Sequence, residues 1–255
     1  MSYRPLALRF AVAHVMIGSM HSPRLVLASA SPRRHELLAA LDATFSVLAT
    51  DAETTELATP SAIQAALPSV ALPLGQHPTL LAWRKASTVA ALAPDAVVLG
   101  ADTIVVLEGA VLNKPTDAAD ARAMLGSLAG RTHRVYTGLC VILPATDGAA
   151  TGRTLLDLAT AEVTLHAVDA AEIAAYVATG EPLDKAGAYG VQGLGGRLVQ
   201  AVRGSYTAVV GLPLVLVHGL LTAAGIRGLA DPTTTYQRWL QSQGKEPLPW
   251  PPTLP

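Results

Sequence analysis

The amino-acid sequence predicts a mixed α/β fold. Apolar stretches of strand length alternate along the chain with segments that place apolar residues at helical spacing, which is typical of strands joined by helices. Some neighbouring strands are also separated only by a tight turn or a hairpin of small residues, and such pairs are antiparallel. We therefore expect one sheet that contains both parallel and antiparallel strands, with helices packed against it.

The first half of the chain opens with an apolar strand and a clear helix start. Ser31 suits the N-cap and Pro32 the first helical position. Residues 57–79 contain four prolines and no charged side chain, which indicates an insertion-like loop with at most one short helix. The elements expected here are a strand at 25–28, the helix from Pro32, an extended run at 44–49, the loop at 57–79, a helix at 79–92, a strand at 97–107, a turn at 108–109 and a return strand at 110–112.

The second half continues the alternation and then becomes rich in glycine and proline. Thr116 is the expected N-cap of the next helix, and Asp169 with Glu172 forms a capping-box pattern for a later one. The other expected features are strands at 134–143 and 156–167, a glycine-rich segment at 179–205, a short β-rich run at 206–210 and a core helix from Pro213. Disorder is expected at 1–23 and in the proline-rich tail at 227–255, which leaves one domain over 24–226.

Composition excludes several classes of protein. The net charge of −1 argues against broad binding to nucleic acid, which requires a basic surface. The single cysteine, Cys140, excludes an internal disulfide and fits the cytoplasm. The uncharged stretch 204–226 has the length of a membrane span, but Gly211-Leu212-Pro213 interrupts it, so we expect no membrane helix. The sequence has no cysteine cluster or HExxH motif for zinc and no GxSxG nucleophile motif.

Asp102 is the most unusual residue of the predicted strands. It interrupts the apolar run VVLGADTIVVL at 97–107. A buried carboxylate without a partner is costly, so such a group usually pairs, loses its charge or binds a metal. Gly100 and Ala101 keep its surroundings small and leave space for a ligand. We therefore predict that Asp102 is a site residue, with a loop-capping role as the structural alternative.

Arg33 and Arg34 lie in the first turn of a predicted helix, where positive charge is unfavourable. A cation at this end of a helix costs about 0.3–1 kcal/mol, because the free amide groups already carry partial positive charge. Either both side chains point outward and pair with acids such as Glu36, or they form an anion site with the hydroxyls of Ser29 and Ser31. The second arrangement suits a phosphate chain, but the residues alone leave both open.

The remaining candidates are less informative by themselves. Lys85 lies on a predicted helix and is expected to be solvated, whereas Lys114 follows the hairpin and should fall within reach of Asp102. The segment 180–196, GEPLDKAGAYGVQGLGG, matches neither a P-loop nor a dinucleotide-binding motif, and its composition predicts a flexible loop. His133 is expected at the surface.

Several of these segments together, in this order, resemble the Maf (septum formation inhibitor-like) nucleoside triphosphate pyrophosphatases. The resemblance covers roughly residues 24–222 and rests on LASASPRRHELLAAL, WRKA, VLGADTIVVLEGAVLNKP, GRTHRVYTGL and the run from YVATGEPLDKAGAYGVQGLGG to GSYTAVVGLPL. It implies an elongated mixed sheet with flanking helices and two lobes around a central cleft, as in the related inosine triphosphate pyrophosphatases. It also implies hydrolysis of a nucleoside triphosphate to monophosphate and pyrophosphate with a divalent cation, Mg²⁺ or Mn²⁺.

The same resemblance implies roles for individual residues. Asp102 would be the catalytic base that activates water for attack on the α-phosphorus, and also a metal ligand. Arg33, Thr103 and Gln192 match the branch of the family that acts on dTTP and UTP, whereas the methylated-GTP branch typically has an aromatic residue in place of that arginine. The residues implied to bind phosphate are Ser29, Ser31, Arg34, Lys85, Lys114 and Lys185.

One segment departs from the family pattern. Members usually carry an acidic pair shortly after the second strand, and here Glu53 is the candidate metal ligand while Thr54 stands where the second acid is expected. Two alternative functions stay open: a pyrophosphatase for purine or modified nucleotides such as 7-methyl-GTP, and a nucleotide-binding or cell-division regulator without catalysis. A homodimer is expected from the resemblance.

Overall fold

The computed structural model describes residues 22–49, 58–145 and 152–244. Within them, seven strands form one sheet: β1 (Leu25–Leu27), β2 (Ser46–Val47), β3 (Val97–Leu107), β4 (Ala110–Leu112), β5 (Thr132–Ile142), β6 (Thr154–Leu165) and β7 (Val199–Gly204). The helices are α1 (Pro32–Ala40), α2 (Ser61–Ala66), α3 (Pro78–Leu92), α4 (Ala118–Leu128), α5 (Ala170–Val177), α6 (Tyr206–Val210), α7 (Leu214–Ala223) and α8 (Pro232–Ser242). The predicted mixed α/β fold is confirmed.

The sheet is mixed because its two ends are built differently. The strand order is β2-β1-β3-β5-β6-β7, with β4 as a further partner of β3. At one end β1 is parallel to β2 and β3, and the remaining pairs are antiparallel.

A gap along one edge of β3 creates the space for a site. β5 pairs with one edge over 98–106, so β1 and β4 share the other edge, where β1 pairs with 97–99 and β4 with 105–107. Among the described residues, no strand pairs with this second edge over 100–104. Before the gap, Val97 and Leu99 belong to one buried cluster, and beyond it Val105 and Leu107 belong to another.

Alternation along the strands decides which helices cover which face. Leu25, Leu27 and Leu99 face the core formed with α1, α7 and α8, whereas Val26 and Val98 face the core formed with α3. Odd-numbered residues near the start of β3 therefore point toward α1, and even-numbered ones toward α3.

Two glycines bring α3 unusually close to the sheet. A Cβ at Gly100 on β3 would overlap with the carbonyl oxygen of Ala82, and a Cβ at Gly138 on β5 would overlap with the backbone of Thr79. The helix backbone thus rests directly on the two strands.

Two local predictions are wrong. Residues 206–210 form α6 instead of a strand, because the Ser205 side chain caps the turn by accepting from Ala208 N and the helical turn buries Tyr206 and Ala208. The N-cap of α4 is Asp117 and not Thr116, since the Asp117 carboxylate accepts from two backbone N–H groups. Residues 199–204, at the end of the glycine-rich segment, pair with β6 as β7. The capping box of Asp169 and Glu172 is confirmed.

The expected disorder after residue 227 is also wrong for residues 232–242, which form α8. Asp231 caps this helix with Pro232 at its first position, and Tyr236, Trp239 and Leu240 bury one face in the core. Of the other regions predicted to be disordered, 1–21 and 245–255 lie outside the described residues. None of the described helices has the length and apolar character of a membrane span.

Candidate active site

The unpaired edge of β3 at 100–104 faces a cleft of about 1170 Å³. Its walls come from the β1–α1 loop, α3, the residues after β4 and the glycine-rich segment after α5. Every described residue that the sequence analysis proposed for the site lines this cleft: Ser29, Ser31, Arg33, Arg34, Lys85, Asp102, Thr103, Lys114, Lys185 and Gln192. Glu53 and Thr54 lie outside the described residues.

Asp102 forms an ion pair with Lys85 at the floor of the cleft. The Lys85 Nζ lies 2.7 Å from Asp102 Oδ1, and the two side chains are only 11% and 13% exposed. The sequence predicted a solvated Lys85, and this is wrong. The close packing of α3 on β3 directs the lysine side chain toward the face of β3 that carries Asp102. Lys114 is exposed and lines the same cleft as Asp102.

The β1–α1 loop forms the next wall, and its helix start is as predicted. Ser31 is the N-cap of α1 and accepts from Arg34 N. Arg33 lies 3.6 Å from the carboxylate of Asp184 across the cleft. Both arginines line the cleft, so the outward-pointing alternative for Arg33 and Arg34 is wrong, and Glu36 accepts hydrogen bonds from Trp239 and Gln243.

The guanidinium of Arg34 is held on three sides. It donates to Gly211 O at 2.9 Å, to Thr103 Oγ1 at 3.1 Å and to Ser29 Oγ at 3.2 Å. These contacts join α1, β3 and the end of α6, and they fix an arginine in the cleft wall at the position that the resemblance assigns to phosphate binding.

Thr103 is part of a directed chain of hydroxyl groups. Thr137 Oγ1 donates to Ala208 O at 2.7 Å, so its single proton is used and it accepts from Thr103 Oγ1 at 2.9 Å. Thr103 Oγ1 in turn accepts from Arg34. Thr103 thus orients Arg34, and Thr137, which sequence reasoning missed, orients Thr103.

Glu181 organises the glycine-rich wall. Its carboxylate accepts from Tyr176 Oη at 2.9 Å, Leu194 N at 2.9 Å and Gly195 N at 3.1 Å. Burial opposes the charge, but the backbone N–H groups, the tyrosine hydroxyl and the nearby Lys185 together lower the pKa of Glu181. The segment is not a loop without secondary structure, because it contains three short 3-10 turns, and Glu181 connects the first of them to the third.

Glu181 and Tyr176 were not predicted as site residues. In the sequence, an acidic residue close to several glycines could have indicated a carboxylate that binds backbone N–H groups. A Cβ at Gly193 or Gly195 would overlap with the Glu181 carboxylate or the Tyr176 hydroxyl, respectively. The glycines therefore allow close packing around Glu181. In the same wall, Lys185 Nζ donates to Glu181 O at 2.6 Å and to Asp184 Oδ1 at 2.5 Å.

His133 lies behind the cleft and is buried, contrary to the surface position expected from the sequence. Its Nε2 shares a hydrogen bond of 2.7 Å with the hydroxyl of Tyr189, which lines the cleft. Burial lowers the pKa of His133 to about 4, so the imidazole is neutral at pH 7.

The family is decided by a sequence comparison that covers the sheet and the cleft. A sequence model described as Maf-like protein matches residues 24–224. The chain belongs to the Maf-like protein family. The match includes every described site residue named above, from Ser29 to Gln192, and ends before α8.

Curated relatives cover most of this Maf-like protein. The dTTP/UTP pyrophosphatase of Deinococcus radiodurans is 44% identical over 206 residues, which are 80% of this chain and 95% of the relative. The dTTP/UTP pyrophosphatase of Moorella thermoacetica is 48% identical over 205 residues, or 80% and 96% of the two chains. The dTTP/UTP pyrophosphatase of Escherichia coli O157:H7 is 48% identical over 200 residues, or 78% and 91%.

The donor set of the cleft fits a magnesium ion that is shared with a substrate. Within residues 22–49, 58–145 and 152–244, no three His, Cys, Asp or Glu side chains come together as a metal cluster. Magnesium, however, is commonly held by one or two carboxylates plus substrate phosphates. Asp102 supplies one such carboxylate at the floor of the cleft, and this supports the expected use of a divalent cation.

Proposed function

We propose that this Maf-like protein hydrolyses dTTP and UTP to the nucleoside monophosphate and pyrophosphate. The observation that carries the proposal is the Asp102 carboxylate at the floor of a cleft whose other charged groups are mainly basic. The overall charge of −1 makes that local concentration of cations notable. The printed names of relatives that are 44–48% identical to this chain support the same reaction and substrates.

The cleft can bind a triphosphate by charge and by hydrogen bonds. Arg33, Arg34, Lys85, Lys114 and Lys185 surround the space above Asp102. We assign phosphate binding to Arg34 and the three lysines, with the hydroxyls of Ser29 and Ser31 and the free amides of α1 as further donors. Such positioning and charge neutralisation are the main sources of catalysis in phosphoryl transfer.

Asp102 is the proposed general base. Its carboxylate takes a proton from the water molecule that attacks the α-phosphorus, while Lys85 holds the carboxylate in place. A bond forms between the water oxygen and the α-phosphorus, the bond from that phosphorus to the bridging oxygen breaks, and pyrophosphate leaves with the electron pair. A bound Mg²⁺ or Mn²⁺ would supply further charge neutralisation at the phosphates, held by Asp102 and, as proposed from the sequence, by Glu53.

Base selection is assigned to Arg33 and Gln192, with Thr103 acting through Arg34. Gln192 carries both a donor and an acceptor that can pair with the edge of a base. Arg33 reaches across the cleft to Asp184 at 3.6 Å, a contact between partly exposed groups that a substrate could displace at small cost.

The test is a panel of nucleoside triphosphates with Mg²⁺ and with Mn²⁺, analysed for products. We expect monophosphate and pyrophosphate from dTTP and UTP, and a loss of about 10²–10⁴-fold in kcat for Asp102→Asn. Asp95→Asn is the matched control, because Asp95 is exposed and pairs with Arg24 on the surface.

Each outcome of the panel is informative. Preference for 7-methyl-GTP or a purine nucleotide would overturn the substrate assignment but not the reaction. Nucleotide binding without turnover, unchanged by Asp102→Asn, would overturn the enzyme and favour a binding protein or division regulator. The expected homodimer, cytoplasmic location and lack of nucleic-acid binding are tested by light scattering, cell fractionation and a filter-binding assay.

A further inference from the structure

Helix α8 lies after the part of the chain that matches the family, yet it reaches the cleft. The family match ends at residue 224, and α8 spans Pro232–Ser242. Gln243, the C-cap residue of α8, accepts a hydrogen bond from Gln192 Nε2 at 3.5 Å. A residue outside the family match therefore contacts a residue assigned to base selection.

Glu36 on α1 fixes the position of Gln243. The Glu36 Oε1 atom accepts from Trp239 Nε1 at 2.7 Å and from Gln243 Nε2 at 2.7 Å. Trp239 is buried beside Tyr206, with their ring centroids 6.2 Å apart. The end of α8 is thus anchored both by packing and by a carboxylate.

The carboxylate also sets the direction of the amide contacts. An ionised carboxylate only accepts hydrogen bonds, so Gln243 must turn its NH₂ group toward Glu36 and its carbonyl Oε1 toward Gln192. That carbonyl also only accepts, so Gln192 must turn its NH₂ group toward α8. The order Gln192 to Gln243 to Glu36 directs the NH₂ group of Gln192 toward α8 and leaves its Oε1 as the acceptor end of the amide.

This oxygen atom is an acceptor in need of a donor. The Gln192 Oε1 is buried and has no hydrogen-bond partner among the described residues, although the residue lines the cleft. An unpaired buried acceptor is unfavourable, and a donor on a bound molecule would relieve that cost. Thymine and uracil carry a ring N–H donor, whereas cytosine has an unprotonated ring nitrogen at the same position.

We propose that Gln243 and Glu36 are positioning residues that make Gln192 select bases with a ring N–H group. The inference rests on the proposed function and adds α8 to the parts of the molecule that determine specificity. Gln192 alone could present either end of its amide to a base. Gln243 removes that freedom because its carbonyl group accepts from the Gln192 NH₂ group and so fixes the orientation of the amide.

The test compares Gln243→Ala with Gln241→Ala, measuring kcat and KM for dTTP, UTP and dCTP. Gln241 is exposed on the last turn of the same helix, and its side chain makes no hydrogen bond with the described residues. In Gln243→Ala we expect the preference for dTTP over dCTP in kcat/KM to fall about three- to tenfold, through a higher KM for dTTP. Gln241→Ala should keep the preference of the wild type.

A second variant separates positioning from simple loss of structure. Glu36→Ala releases Gln243, so we expect the same loss of preference, and the double variant should lose no more than either single one. Thermal unfolding of each variant shows whether the fold is kept. An unchanged dTTP/dCTP preference in folded Gln243→Ala, or additive losses in the double variant, would overturn the inference. A wild-type protein that hydrolyses no pyrimidine triphosphate would overturn the proposed function as well.

Discussion

Neighbouring residues of β3 serve opposite faces of the sheet. Asp102 faces α3 and pairs with Lys85, whereas Thr103 faces α1 and receives a hydrogen bond from Arg34. Strand alternation alone requires that the two side chains diverge, and the predicted bounds of this strand, 97–107, agree with the structure. The partners could not be predicted, because they come from helices that are distant in sequence.

The hydroxyl chain behind Arg34 gives the first prediction at this scale. Thr137→Val keeps the shape of a fully buried residue but leaves Ala208 O without its donor and Thr103 without its acceptor. We expect the free energy of unfolding to fall by about 1–3 kcal/mol and kcat/KM to fall about tenfold as Arg34 loses its orientation.

Thr137→Ser is the matched control for this change. It keeps the hydroxyl group and should retain most of the activity with dTTP. Wild-type stability and activity in the Val variant would show that the hydroxyl group is not needed. Denaturant unfolding and steady-state kinetics measure the two effects separately.

At the scale of elements, the approach of α3 to the sheet determines the geometry at Asp102. The glycines at 100 and 138 let the helix backbone rest on β3 and β5, and Gly138 is the direct neighbour of Asp102 across the β3–β5 ladder. In the sequence, Gly100 indicated only that there is space beside Asp102. Its main effect, the close packing of α3, depends on where the helix lies and was visible only in the structure.

Gly100→Ala therefore tests how the helix positions Lys85. The new methyl group would overlap with Ala82 O, and α3 must move outward, which separates Lys85 from Asp102. We expect the free energy of unfolding to fall by about 1–3 kcal/mol and the activity to fall with it.

Gly126→Ala is the control for that substitution. Gly126 lies on the exposed face of α4 with open space around its Cβ position, so the change should raise stability by about 0.5–1 kcal/mol and leave activity unchanged. Urea unfolding and dTTP hydrolysis are the measurements. A Gly100→Ala protein as stable and active as the wild type would contradict the packing argument.

At the scale of the whole molecule, α8 is part of the core although it follows the family match. Tyr236, Trp239 and Leu240 share a buried cluster with residues of α1, α6 and α7. Burial of a large apolar side chain contributes about 1.5–3 kcal/mol, so the three together are comparable to the net stability of a domain.

A chain that ends at residue 230 should therefore unfold at a much lower temperature than the full chain. The reason is that the cluster around Tyr206 loses its covering helix. A chain that ends at residue 244 keeps α8 and all of its described contacts, and is the control. Thermal unfolding followed by circular dichroism compares the three proteins, and equal midpoints for the chain ending at 230 and the full chain would contradict this role of α8.

The sequence by itself determined the mixed sheet, the start of α1, the β3–β4 hairpin and Asp102 as a candidate site residue. These features follow from local rules: hydrophobic periodicity, capping chemistry and the cost of a carboxylate in an apolar strand. The other candidate residues of the cleft followed only from the family resemblance. Tertiary structure alone decided that Lys85 is the partner of Asp102, that Glu181 orders the glycine-rich wall and that α8 reaches Gln192. Those pairings join residues far apart in the chain, and their free energy comes from burial and hydrogen bonds that exist only after the elements have packed.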